Sequence, residues 1–262
     1  MTAPLVVLGA GGKLGRLMAG AWPDDVVQYG RADLDILDHA ALMSALRGAR
    51  AVLCLAGCTN GSGRPMSLNT TLAQLTLGAA AATGCGRVFL MSSAAVYGRQ
   101  TGHLSEATAP APVAEYGQSK LRMEQMAADH SHPCSVLRLG NVAGADAILG
   151  GWQPGFALDV LADGTTPRRS YIGPRSLVRV LYMLSLTRDI PPLLNIAAPG
   201  TLAMGDLLDA AGLAWTPRTP DGDIIAKVTL DTSLLSTLFD WQPDDSTAKT
   251  MVREWKELTH RT

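Results

Sequence analysis

Short apolar runs alternate with longer helix-periodic stretches along most of this chain. The runs are Leu5–Leu8, Val26–Tyr29, Ala51–Leu55, Arg87–Met91, Ser135–Leu139 and Leu193–Ile196. Between them lie Leu14–Ala21, Ala40–Leu46, Leu68–Thr83, Ser119–Asp129 and Leu177–Leu186, which read as helices. Strand–helix alternation predicts a parallel sheet with helices on both faces, an α/β fold. The runs are nearly continuous in apolar residues, as expected of strands buried on both sides.

After about residue 145 the rhythm breaks. "GADAILGGWQPGFALDVLADGTTPRR" is rich in Gly and Pro and reads as loops with a short helix. Two further helices are predicted at Met204–Ala211 and Ser246–Leu258. The chain thus divides into a core over 1–145 and a smaller lobe over 146–262, with 177–197 packing back on the core. A lobe beyond the carboxyl ends of the strands would form the second wall of a cleft.

Composition narrows the function classes. Hydrophobic residues make up 47% and charged residues 17%, the balance of a folded globular protein. A net charge of −1 provides no electrostatic footprint for nucleic acid or an anionic membrane. No apolar run approaches the ~18 residues of a membrane span, and no basic segment of a signal peptide precedes Leu5. The four cysteines, Cys54, Cys58, Cys85 and Cys134, are scattered and read as reduced thiols of a cytoplasmic protein. His130, His132 and Cys134 offer three metal ligands but no fourth, so "HSHPC" reads as a helix-to-strand link and no metal is expected.

The candidate chemistry begins at "VVLGAGGKLGRLMAG". Gly9, Gly12 and Gly15 directly follow the first strand and open an apolar helix. Glycines there allow a tight turn, close approach of backbone N–H groups to a pyrophosphate, and close helix–sheet packing. The context predicts dinucleotide binding. Where an acid would bind the ribose 2′-OH of NAD, the second strand ends instead in Gly30 and Arg31. An arginine there pairs with a 2′-phosphate, so NADP is favoured over NAD, and Lys13 adds to the positive field. Asp35 and Ile36 follow, placed to hold the adenine edge.

"EYGQSK" puts Tyr116 and Lys120 four residues apart, on one helix face. A free phenol has a pKa near 10. A lysine cation beside it favours the phenolate and makes the tyrosine a usable general acid–base. The preceding strand ends in "FLMSSAAVYG", which supplies a serine hydroxyl for the same substrate oxygen.

These motifs, in this order, resemble the extended short-chain dehydrogenase/reductases, the group of NAD(P)-dependent sugar epimerases, dehydratases and reductases. "GAGGKLG" (9–15) is similar to their glycine turn, "LDILD" to their adenine segment and "VLCLAG" (52–57) to the strand under the cofactor. "SSAAVYG" (92–98), "SEATAPAPVAEYGQSK" (105–120) and "LRLGNVAG" (137–144) resemble the serine, YxxxK and nicotinamide-facing segments. "RRSYIGPRSL" (168–177) and "FDWQP" (239–243) resemble later landmarks more loosely. The resemblance implies a Rossmann-type doubly wound sheet with a smaller C-terminal substrate lobe.

It also implies roles. Gly9, Gly12, Lys13, Leu14, Gly15, Arg31, Asp35, Ile36, Leu55, Ala56 and Gly57 would hold the cofactor. Tyr116 would carry the proton, and Lys120 would tune it and hold the nicotinamide ribose. Ser93, rather than Ser92, would orient the substrate oxygen. Asn141 would touch substrate and Arg169 would approach a substrate phosphate. Helices Leu68–Thr83 and Ser119–Asp129 resemble those that pair subunits, so a homodimer is an open possibility beside packing on the chain's own sheet.

Departures narrow the activity. Where family dehydratases carry an Asp-Glu pair, this chain has Ala94 and Ala95, which cannot move a proton. The landmark near 174 reads Pro174, Arg175, Ser176. Residues 145–167 hold no Lys or Arg to clamp a nucleotide diphosphate. Trp152 and Phe156 are read as loop packing rather than as a stacking site. The expected activity is hydride transfer between NAD(P) and a secondary alcohol or ketone of a sugar-like or nucleotide-sugar small molecule. A reductase stands ahead of an epimerase using the same residues, and a non-catalytic NAD(P) sensor is the rival of another class.

Overall fold

The apolar runs become the strands of one six-stranded parallel sheet in the computed structural model, which describes residues 3–59 and 61–259. They are β1 (Leu5–Leu8), β2 (Val26–Tyr29), β3 (Ala51–Cys54), β4 (Arg87–Ser93), β5 (Cys134–Leu139) and β6 (Leu193–Ile196). Their order across the sheet is β2-β1-β3-β4-β5-β6, every pair parallel. The chain steps from β1 outward to β2 and then crosses back to β3 on the other side of β1. That reversal opens a crevice beyond the carboxyl ends of β1 and β3, where ligands bind in open α/β sheets.

Side-chain alternation divides the core in two. Leu5, Val7, Leu53 and Phe89 face one way, into a cluster with Met18, Leu177 and Leu181. Val6, Leu8, Val52 and Val88 face the other way, against Leu42, Leu72, Leu77 and Met123. The first face is covered by α1 (Lys13–Met18), tightened into a 3-10 turn at Ala19–Ala21, and by α5 of residues 174–186. The second is covered by α2 (His39–Leu46), α3 (Leu68–Thr83) and α4 (Glu115–Ala128). Of the five alanines of α3, Ala73, Ala79 and Ala80 are buried in this second cluster, and Ala81 and Ala82 are exposed.

The lobe carries α6 (Met204–Ala211), α7 (Ser233–Ser236) and α8 (Ala248–Thr259) after α5 (Pro174–Leu186). Its core gathers Leu158, Tyr171, Leu207, Leu208 and Met251, with Trp152, Phe156 and Trp215 packed against it. Trp152 donates its indole N–H to the Ala214 carbonyl (2.9 Å), and its half-buried ring packs on this core. The short helix expected within 146–168 is not formed. Ala157–Asp159 is instead a strand beside Thr216–Arg218, because Gly150, Gly151, Pro154 and Gly155 disfavour helix.

The helix carrying the Tyr–Lys pair starts four residues earlier than its apolar periodicity suggested. Glu115 is an acid in its first turn, favourable to the helix dipole. Tyr116 therefore lies in the first turn, on one helix with Lys120 as their spacing predicts. His130, His132 and Cys134 lie where α4 passes into β5, and the His132 N–H donates to His130 Nδ1 (3.1 Å). All four cysteines are free thiols. Among the described residues no helix is long and apolar enough to cross a membrane.

Candidate active site

The glycine turn is pinned to the neighbouring strand. Gly9 and Ala10 both donate backbone N–H bonds to the Tyr29 carbonyl (2.9 and 3.0 Å). Gly9 has φ +89°, and a Cβ there would sit 2.5 Å from the backbone nitrogen of Ala56. Neither the dihedral nor that backbone atom can give way cheaply. Gly9→Ala is expected to cost about 2–3 kcal/mol and to weaken dinucleotide binding, measured by urea denaturation and cofactor titration.

Two cavities meet at this turn. The first, about 250 Å³, is walled by Gly9, Gly12, Arg31, Asp35, Ile36, Leu55, Ala56 and Gly57, together with Gly11 and Arg64. The second, about 720 Å³, is walled by Gly9, Gly12, Lys13, Leu14, Gly15, Leu55, Gly57, Ser93, Tyr116, Lys120 and Asn141. Gly9, Gly12, Leu55 and Gly57 belong to both, so the cavities form one trough bent around the turn. Every residue expected to hold cofactor lines it, as do all the expected catalytic residues.

Arg169 does not. It sits in the short strand Arg168–Arg169, between Leu202–Ala203 and Lys227–Val228. One guanidinium nitrogen folds back to the Arg168 carbonyl (2.8 Å). Its guanidinium also interacts with Tyr171, whose hydroxyl is held by Asp146 on the wall of the larger cavity.

The 3-10 turn Ala94–Tyr97 caps β4, with Ser93 Oγ accepting from the Ala95 N–H (3.2 Å). A Cβ on Gly117 would lie 2.5 Å from the Ala95 carbonyl oxygen, so glycine lets α4 seat directly on this turn. Tyr116 is thereby brought against Ser93. Burial pushes the Tyr116 phenol up, and a hydrogen bond with Ser93 pulls it partly back.

Lys120 is 6% exposed and donates from Nζ to the Met91 carbonyl (2.7 Å), with Nζ 5.9 Å from the Tyr116 ring centroid. Burial pulls its pKa down to about 8, against the raising influence of Cys54, Cys58 and Glu124. The lysine, expected from its spacing to lower the phenol's pKa, does not set it here. Without ligand, burial governs both groups, because the ammonium is turned toward a backbone carbonyl.

Several residues that hold this geometry carry no motif. Asn69, buried on α3, accepts from the Cys58 N–H (2.9 Å) and donates to the Cys58 carbonyl (3.1 Å) and to Ser119 Oγ (2.9 Å). Ser119 in turn donates to the Tyr116 carbonyl (2.8 Å). The loop after β3 is thus tied to the first turn of α4. Asp146 lines the larger cavity and accepts from the Tyr171 hydroxyl (2.9 Å) and the Leu149 N–H (3.1 Å). Burial raises its pKa. Lys13 donates across the trough to the Asp146 carbonyl (3.2 Å).

One turn beyond Lys120, Glu124 accepts from Ser92 Oγ (2.5 Å) and from Arg138 Nη2 (2.7 Å) and Nε (3.1 Å). Both charged side chains are nearly inaccessible. This pair fastens α4 to β4 and β5 directly behind the lysine. Breaking a buried pair strands its partner, so Glu124→Gln is expected to cost about 3–5 kcal/mol of unfolding free energy in chemical denaturation.

A family model described as the NAD dependent epimerase/dehydratase family matches residues 5–162. No curated protein sequence matches the chain. Solved structures are similar over nearly its whole length. UDP-glucose 4-epimerase from Brucella ovis in complex with NAD aligns with TM-score 0.78 and 19% identity, over 96% of this chain and 97% of that one. UDP-N-acetylglucosamine 4-epimerase from Methanobrevibacter ruminantium M1, in complex with UDP-N-acetylmuramic acid, gives 0.76 and 18%, over 99% of each. UDP-glucuronic acid 4-epimerase from Bacillus cereus, in complex with UDP-glucuronic acid and NAD, gives 0.75 and 19%, over 99% and 100%. At these identities the likeness is one of fold.

Proposed function

Because the chain belongs to the NAD dependent epimerase/dehydratase family, whose members are enzymes, we propose that it transfers a hydride between a nicotinamide dinucleotide and a secondary alcohol or ketone of a sugar-like substrate. The observation that carries this reading is the shared wall: Ser93, Tyr116 and Lys120 line the same cavity as the glycine turn.

The residues present fit such a cofactor. Gly9, Gly12 and Gly57 line both cavities and leave bare backbone at the bend, and the trough has room on both sides of the turn. The turn would receive the pyrophosphate, Asp35 and Ile36 the adenine side, and Lys120 the nicotinamide ribose. The bound dinucleotide supplies the hydride acceptor or donor, and the protein supplies position and electrostatics.

In the reducing direction Tyr116 Oη gives its proton to the substrate oxygen as that oxygen becomes an alcohol. Its raised pKa keeps it protonated at neutral pH, ready to donate. Ser93 Oγ hydrogen-bonds the same oxygen, and the Lys120 cation stabilises the phenolate left behind. Ala94 and Ala95 beside the serine leave no acid for 4,6-elimination, which favours net reduction or epimerisation over dehydration. The three solved relatives are nucleotide-sugar epimerases, which supports a sugar-like substrate.

The test is nicotinamide absorbance over time, with NADPH and NADH in parallel, against nucleotide sugars, keto-sugars and simple ketones. Net oxidation of cofactor identifies a reductase. Inverted product without net oxidation identifies an epimerase. Tight binding with no product from any substrate overturns the enzymatic reading in favour of a dinucleotide-binding protein.

A further inference from the structure

Arg64 lines the smaller cavity and has no role in the chemistry above. It lies in the loop after β3, whereas Arg31 lies just past β2. Because β2 and β3 flank β1 on opposite sides, the two arginines reach one cavity from opposite walls. Neither forms a salt bridge among the described residues.

The nearby carboxylates are engaged with backbone. Asp33 Oδ2 accepts from the Gly30 N–H (2.8 Å), and Asp33 does not line the cavity. Asp35 Oδ1 accepts from the Leu37 N–H (3.1 Å). Asp35 is the one carboxylate among the described residues that line this cavity, so it offsets one of the two arginine charges and leaves the other for an anion. A bare ribose diol carries no charge to fill that role, whereas a phosphate presents several acceptor oxygens to the planar donor forks of arginine. The pyrophosphate itself belongs at the glycine turn, which leaves a separate phosphate on the adenosine side.

We propose that Arg31 and Arg64 form a two-sided clamp for a ribose 2′-phosphate, and that Arg64 is a residue selecting NADP over NAD. The inference rests on the reading of the trough as a dinucleotide site.

The experiment is titration of the full chain with NADPH and NADH, and with AMP in its 2′-phosphorylated and plain forms. Wild type, Arg64→Ala, Arg64→Lys and Arg31→Ala are compared, with melting curves confirming that each variant folds. Arg64→Ala is expected to lower the NADPH-to-NADH affinity ratio roughly tenfold or more, with Arg64→Lys retaining part of it and the AMP pair showing the same loss. If Arg64→Ala weakens NADPH and NADH by the same factor, or changes neither, the arginine does not read the 2′-phosphate and the clamp is overturned. Wild type that binds NADH and discriminates against NADPH also overturns the clamp but leaves the dinucleotide site standing. Wild type that binds neither dinucleotide overturns the site itself.

Discussion

Tyr116→Phe is expected to lower turnover by about 10³-fold, within the 10²–10⁴ range of general acid–base catalysis, while the dinucleotide still binds. The substitution removes one oxygen and keeps the ring in place. Among the described residues no other phenol lines the larger cavity: Tyr97 is buried, with its hydroxyl held between the Ser105 carbonyl (2.9 Å) and Asn195 Oδ1 (2.8 Å), and the Tyr171 hydroxyl is committed to Asp146. Ser93 cannot substitute, since an aliphatic hydroxyl is a far weaker acid than a phenol. Steady-state rates and cofactor titrations on the same preparation separate the two effects. Turnover within a few-fold of wild type would remove Tyr116 from the chemistry.

Lys120→Met is expected to be comparably damaging to kcat/KM, by about 10²-fold or more, with little or no loss of thermal stability. A buried lysine with its pKa near 8 is protonated at neutral pH against its surroundings, a cost to the fold on the order of 3 kcal/mol. Methionine removes that cost but leaves the Met91 carbonyl without its donor, a penalty of about 1–3 kcal/mol. The two largely offset.

The pH dependence has a definite sign. Between about 8 and 10.5 the unfolded lysine holds its proton while the folded one has lost it. The unfolded state then binds more protons, so this group's contribution to stability rises with pH across that window and is at its lowest below 8. Denaturation of wild type against Lys120→Met should show that slope in wild type alone. In the ligand-free enzyme kcat/KM should fall as pH rises past about 8, where the cation is lost. A variant that unfolds at neutral pH, or a kcat/KM flat through that range, would contradict this account.

The parts of the molecule governed by strong local rules were legible in the sequence. The six strand runs, the glycine turn and the Tyr–Lys pair all follow from apolar continuity, backbone freedom and helical spacing, and they occupy the expected places. What escaped was set by tertiary contact. Asn69 sits mid-helix without charge or motif, and only the approach of the β3 loop to α4 gives it three buried hydrogen bonds. Asp146 lies in a stretch of Gly and Ala whose spacing predicts nothing. Arg64 reaches the smaller cavity from a loop of small residues, and only the fold places it on the wall of the same cavity as Arg31. The surroundings of Arg169 were likewise beyond its motif: it pairs in a short strand, and one guanidinium nitrogen donates to the Arg168 carbonyl.

The most direct test of the central claim follows a labelled hydride. The protein is incubated with NADPH or NADH carrying deuterium at the reactive nicotinamide carbon and with any keto-sugar it turns over, and the carbinol product is analysed by mass spectrometry. Wild type should place one deuterium on the product's new carbinol carbon, and Tyr116→Phe should place almost none while still binding cofactor. Product formed without label, or labelled equally by both proteins, would show that the trough around Gly9 and Tyr116 does not perform hydride transfer with Tyr116 as its acid.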